Sequence, residues 1–326
     1  MMTSGLQHSI RTVSQRTGLS QHVIRVWEKR YGTIRPGRSG GNQRVYSESD
    51  INRLQCLQKL TSQGFSISKL AHLDDATLGQ MVVTELDNTS TSSSPMTGHT
   101  PTDATVNAVS EALDAVRSMN LGALEDCLER ALLNFGQIGM LERVVAPLAE
   151  AIGEEWRGGR LQVAHEHLAT TTLRTFLGRF VRPYTIHPSA PVMVATTPAG
   201  QLHELGAILV AATASGMGWR VTYAGASLPC EEIARIASGQ NARVVALSLI
   251  HPEDDPLIPL ELKQLRRILR PTTRIIMGGR AAGAYAQEVS DEGILMIRTL
   301  DDLRSVLDSL RAQHPGDLGN SARIDG

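Results

Sequence analysis

Apolar residues recur every three or four positions through four stretches between residues 104 and 187: AVSEALDAVRSMN, LGALEDCLERALLNF, MLERVVAPLAEAIGEEWRGG and VAHEHLATTTLRTFLGRFV. That is the period of a helix with one buried face, and Gly- or Asn-bearing breaks separate the stretches, so the pattern predicts a four-helix bundle. From Pro188 the rhythm changes. Short β-branched runs (VMVATT, WRVTYAG, RVVALSLI, RIIMGG, ILMIRT) alternate with helical ones (ELGAILVAATASG, PCEEIARIASG, PLIPLELKQLRRIL, AAGAYAQEVSD, LDDLRSVLDSLRAQ). Strands this uniformly apolar are buried on both faces, which predicts an α/β, Rossmann-like (flavodoxin-like) parallel sheet. Near the N-terminus, TVSQRTGLSQHVIRVWEKRYG predicts two helices about a tight turn at Gly18. Ser20 would cap the second, and Val23, Ile24 and Trp27 would face inward. A further helix is expected after Ser49.

The polar stretch NTSTSSSPMTGHTPTD, residues 88–103, has almost nothing to bury. The expected organisation is therefore multidomain: a winged helix-turn-helix over 1–78, a flexible linker over 79–103, the bundle over 104–187, the α/β domain over 188–314, and a disordered tail over 315–326.

Composition narrows the classes. Of 326 residues 41% are hydrophobic and 20% charged, with a net charge of −1, so a uniformly basic nucleic-acid coat is excluded. The first 78 residues are nevertheless locally basic. The three cysteines, Cys56, Cys127 and Cys230, lie far apart, which argues against a disulfide framework or structural zinc site and fits a reducing cytoplasm. No apolar run of signal-peptide or membrane-spanning length occurs, so no membrane association is expected.

The helix-turn-helix spacing leaves Gln21, His22, Arg25 and Lys29 for a major groove, with Arg30 beside them. Beyond it, Gly40 and Gly41 would let a wing approach phosphates, with Arg38, Arg44 and Tyr46 flanking the duplex. A small protein-interaction domain with a basic face would read similarly. Near the first strand of the α/β region, PAGQLHELG sets His203 in a glycine-punctuated loop where open α/β sheets bind ligands. His203 there is a base, a metal ligand or a solvated loop residue. The dinucleotide fingerprint GxGxxG is absent, and no catalytic residue is assigned.

The segments VWEKRYG, RPGRSGGNQRVYSESDINRL and LTSQGFSISKL resemble the MerR family of transcriptional regulators over residues 9–75. The resemblance implies dimeric binding to double-stranded promoter DNA, with phosphate contacts from the wing. Metal-sensing members carry closely spaced C-terminal cysteines, which this chain lacks. Downstream, His203-Glu204-Leu205-Gly206, Ser248-Leu249-Ile250 and Gly278-Gly279 resemble the cobalamin-binding domain. That resemblance implies His203 as the lower axial ligand of cobalt, with the nucleotide tail in a slot kept open by small residues. The acid usual two positions before the histidine is Gln201 here, expected to hydrogen-bond the imidazole through its carbonyl.

Trp156 followed by Glu166-His167 resembles the CarH/LitR group of light-sensing MerR regulators. The implication is that these three cap the upper cobalt face of adenosylcobalamin, or of methylcobalamin or another cobalamin form. It further implies a photoreceptor repressor whose dimers assemble into a tetramer and release DNA when the upper ligand is lost. Arg157 stands where well-studied light sensors of the group carry histidine; His165 and His167 are the nearby substitutes. Other readings stay open: a light-independent cobalamin-responsive regulator, one with an additional chromophore, and a corrinoid methyl-carrier protein.

Overall fold

A computed structural model describes residues 7–39, 42–63, 65–90, 103–181 and 189–312. They fall into two compact units, Met1–Thr172 and Leu173–Gly326.

The first unit begins with α1 (Ile10–Thr17), closed by Gly18 in a left-handed conformation at φ 71°, and α2 (Gln21–Val26). The Ser20 hydroxyl accepts from Val23 N at 3.2 Å, satisfying a helix N–H that has no partner within the helix. Val23, Ile24 and Trp27 are buried, as the periodicity required, and α2 runs on into a π-helical turn, Trp27–Tyr31. The wing is a short antiparallel hairpin of β1 (Gly37–Arg38) and β2 (Arg44–Val45). Gly40 and Gly41, at its tip, lie outside the described residues. The next helix, α3 (Glu48–Ser62), starts earlier than expected. Ser47 and Asp50 cap it reciprocally, each side chain bonding the other's backbone N–H, so it begins before Ser49.

After α4 (Ile67–Leu70) comes α5 (Asp75–Ser90). This corrects the expected linker: residues 79–90 are helical, Asp103 begins the next helix, and residues 91–102 lie outside those described, as does the tail 315–326. Leu78 is buried, which ties the start of α5 into the head.

The bundle helices are α6 (Asp103–Arg117), α7 (Leu121–Met140), α8 (Ala146–Arg157) and α9 (Val163–Val181), with a π-helical segment, Leu141–Val145, leading into α8. Helix α7 breaks at Gly136 (φ 68°, ψ 178°), a conformation a side chain would strain. The break matters because the head packs there. Carbonyls in the turn before a break run short of helical partners. Trp27 Nε1 donates to Leu133 O at 2.8 Å, and Arg143 Nε donates to Ser62 O at 2.7 Å. A β-carbon on Gly139 would lie 2.7 Å from Thr61 O, so only glycine lets α3 and α7 approach this closely. The head and the bundle as far as Thr172, midway along α9, thus share one unit where the sequence suggested separate domains.

The second unit contains a five-stranded parallel sheet: β3 (Val192–Thr196), β4 (Arg220–Tyr223), β5 (Val244–Ser248), β6 (Arg274–Gly278) and β7 (Leu295–Ile297), in the order β4-β3-β5-β6-β7. The connecting helices are α10 (Leu205–Gly216), α11 (Cys230–Gly239), α12 (Ile258–Ile268) and the short α13 (Ala282–Tyr285), with α14 (Leu300–Ala312) after β7. Val192, Val194, Val245, Leu247, Ile275 and Met277 share a core with Ile233, Leu262 and Leu265 of α11 and α12. The alternate strand residues point to the other face, where α10 packs on β3 and against α14. The order is the doubly wound one, and it reverses direction between β3 and β5.

Candidate cofactor and nucleic-acid sites

At that reversal the loops after β3 and β5 lie at the carboxyl ends of the strands, the place where open α/β sheets bind ligands. His203 is exposed in the loop after β3, and no hydrogen-bond partner for its ring exists among the described residues. Ser248 ends β5, and its hydroxyl is buried without a partner, a costly state unless something else binds it. Gly206, in the first turn of α10, faces it: a β-carbon there would run into Ser248 Oγ. Gly279 sits at φ 100°, and a β-carbon would meet Leu249 O, while one on Gly278 would lie 2.8 Å from Ile297 O. Leu249 itself is a core residue; its backbone, bonded to Gly278 O and Ala281 N, forms the slot wall.

Gln201 does not do what the sequence suggested. It is fully buried, and its side-chain oxygen accepts from Ile250 N (2.9 Å) and His251 N (3.1 Å). Its Nε2 donates to Pro252 O at 3.1 Å. With its carbonyl accepting two backbone N–H groups and its Nε2 donating to Pro252 O, Gln201 staples the β3 loop to the β5 loop, and its carbonyl makes no bond to the His203 ring. Glu204 is occupied as well: its carboxylate accepts from Arg174 Nη1 at 3.0 Å and from the Tyr223 hydroxyl. Burial first, then that carboxylate, pushes the Tyr223 phenol upward, so it stays a donor. Sequence reasoning missed His251, whose ring stands 6.1 Å from that of His203 at 76°. No spacing rule brings residues 48 positions apart together.

In the first unit Trp156 is 44% exposed at the end of α8, outside the bundle core. Its neighbour Glu155 is buried and accepts from Arg117 Nε at 3.1 Å. The Arg117 guanidinium holds that carboxyl below its ordinary range. Glu166 is half-buried and accepts from Thr170 Oγ1 at 2.9 Å; His167 is exposed. His165 Nδ1 accepts from Gln162 N at 3.3 Å, and Arg157 Nε turns back onto Gly153 O at 3.1 Å.

On the head, His22, Arg25, Lys29 and Arg30 are exposed on and just beyond α2. In the wing, Arg38 bonds the Asn42 side chain at 2.8 Å and Arg44 is clamped on Glu28 at 3.0 Å. Tyr46, expected at the DNA, is fully buried with its hydroxyl shielded and unpartnered. Its backbone bridges His8 instead, so it braces the wing from within. Its alternation opposite Val45 turns it inward, a distinction charge and motif could not make.

A helix-turn-helix head, a helical bundle and a doubly wound parallel sheet with His203 and Ser248 at its switch point define the architecture of the described residues. Residues 8–77 match the MerR HTH family regulatory protein, and residues 108–180 and 191–309 match two B12 binding domain families. The chain thus carries a MerR helix-turn-helix and B12-binding domains, and it is homologous over most of its length to two proteins of Myxococcus xanthus. The HTH-type transcriptional repressor CarH is 27% identical over 278 residues, 85% of this chain and 90% of CarH. The HTH-type transcriptional repressor CarA is 25% identical over 309 residues, 93% of this chain and 96% of CarA. Among solved structures, the monomethylamine corrinoid protein of Methanosarcina barkeri is 13% identical with a TM-score of 0.49, matching 63% of this chain and 99% of its own. No helix among the described residues is long and apolar enough to cross a membrane.

Proposed function

We propose that this protein is a cobalamin-dependent, MerR-type DNA-binding repressor that responds to loss of the upper cobalt ligand in light. One observation carries the reading: at the switch point of the sheet the Ser248 hydroxyl is buried without a partner, packed against Gly206, and the loop after β3 bears the unpartnered imidazole of His203. The donor set fits a corrinoid. No cluster of three or more His, Cys, Asp or Glu among the described residues could hold a bare metal ion. A single neutral imidazole suits cobalt whose other positions a macrocycle already occupies.

In this reading His203 would hold the cobalt through a ring nitrogen, and the Ser248 hydroxyl would bond the nucleotide tail. Gly206, Gly278 and Gly279 keep the slot clear. Gln201 holds the two loops that form the slot at fixed separation. Trp156 offers an exposed indole to cover the upper ligand, and Glu166 offers a carboxylate to a ribose hydroxyl. Bound adenosylcobalamin supplies the light-sensitive bond between cobalt and its upper carbon ligand. The head reads promoter DNA through His22, Arg25, Lys29 and Arg30, with wing arginines Arg38 and Arg44 on phosphates. Assembly of dimers into a tetramer would multiply affinity, because tethered heads rebind at high effective concentration. The kinship to CarH and CarA supports the repressor assignment.

Arg157 favours a second reading, a cobalamin-responsive repressor that does not use light. A guanidinium has no lone pair to give cobalt after the upper ligand leaves, and this one is folded onto Gly153 O. Size-exclusion chromatography with adenosylcobalamin, in darkness and after green light, separates the two. A larger species in darkness that dissociates on illumination and lets go of operator DNA is expected. Unchanged elution and spectrum after illumination would sink light sensing, and no adenosylcobalamin bound at all would sink both readings.

A further inference from the structure

His203 lacks the carboxylate that would ordinarily orient a ligating histidine. The two nearest polar side chains in its own loop are both committed. Gln201 is spent on Ile250 N, His251 N and Pro252 O. Glu204 is spent on Arg174 and Tyr223. What does face His203 is the ring of His251, at 6.1 Å and 76°, an edge-to-face pair within the range where such pairs attract.

The segment bearing His251 is held from two sides. Gln201 grips its N–H, and Tyr285 OH contacts Pro252 O at 3.3 Å and accepts from Asp255 N at 2.9 Å. The backbone under His251 is therefore fixed while its imidazole stays exposed and without a hydrogen-bond partner among the described residues. A ring carried on a fixed backbone occludes some of the rotamers of the ring it packs against. We propose that His251 is the positioning residue for His203, orienting the lower-ligand imidazole by ring packing at the switch point in place of the missing acid.

The proposal rests on His203 being the cobalt ligand, so the test separates the two claims. The full-length protein, with its histidines 15N-labelled, is loaded with unlabelled cob(II)alamin, and electron paramagnetic resonance reads the fraction whose axial nitrogen shows the 15N splitting of a protein histidine rather than that of the cofactor's own base, alongside cobalamin affinity by absorbance titration. His203→Ala should lose the protein-histidine signature; its persistence would refute the ligand reading itself. His251→Ala should lower the protein-histidine fraction and weaken binding about threefold to tenfold, the worth of one aromatic pair. His251→Phe keeps the ring edge and removes both nitrogens, so it should restore most of the loss. His251→Ala behaving as wild type in both readouts, or His251→Phe failing as badly as alanine, would overturn the positioning role while leaving His203 as ligand. Both side chains are exposed, so the variants leave the core packing untouched.

Discussion

The head and the α/β unit carry their candidate sites by opposite means. On the head, long exposed side chains such as Arg25 and Lys29 project from a helix whose inner face, Val23, Ile24 and Trp27, is fully buried. In the α/β unit the candidate site is built from small residues, with Gly206 packed on the Ser248 hydroxyl and Gly278 and Gly279 packed on backbone carbonyls, and from the His203–His251 ring pair on the loops. A charged surface tolerates drift of an ångström because Coulomb attraction falls slowly with distance. A slot does not, because overlap repels within a few tenths of an ångström. The head should thus respond to substitution by degrees, and the slot all at once.

The largest expected effect tests the slot. Gly206→Val drives a branched side chain onto Ser248 Oγ and should weaken cobalamin binding about 100-fold or more, the ~3 kcal/mol of an overpacked site, in an absorbance titration. Retained binding would mean the tail lies elsewhere. Next, Gln201→Leu leaves the Ile250 and His251 N–H groups without their acceptor and should cost about 2 kcal/mol of unfolding free energy in urea melts. Arg25→Ala should reduce operator affinity by about 1–2 kcal/mol in gel-shift titrations with cobalamin binding unchanged. A simultaneous change in both would break the separation drawn above.

Tyr46→Phe is a sharper test with a small effect. A buried hydroxyl without a partner contributes nothing favourable, so stability should stay within about 0.5 kcal/mol and operator affinity should not change. A marked affinity loss would restore Tyr46 to the DNA surface. The subtlest effect is on pH dependence. The Glu155 carboxyl is held below 4.5 chiefly by its hydrogen bond to Arg117. A depressed folded-state pKa adds stability above the unfolded value, and that stability is lost as pH falls through the folded one. Arg117→Ala should therefore flatten the acid limb of a stability–pH profile below about pH 4.5, leaving the shape at neutral pH unchanged.

Much of this was legible in the residues. Gly18, Ser20 and the Val23-Ile24-Trp27 spacing specify the turn, cap and buried face of the head, because cap chemistry and the helical period act over a few residues. The uniform burial of β3 and β5 follows from VMVAT and VVALS, since a two-sided sheet leaves no strand position for water. The slot was legible only through resemblance. No local rule says that Gly206 and Ser248 face each other, and it is their contact that makes the glycine necessary.

The chain alone dictated most of its helices and strands, the parallel sheet and the polar face of α2. Each of these depends on neighbours a few positions away or on the composition of one segment. The tertiary structure decided the partners. It turned Gln201 from a presumed ally of His203 into a staple between loops and buried Tyr46 behind the wing. It set Trp27 against a carbonyl beside the break in α7, and it placed His251 across from His203. All four depend on which surfaces meet after the chain has closed on itself. A buried amide bonds whatever backbone N–H lies within about 3 Å, and sequence spacing carries no record of that distance.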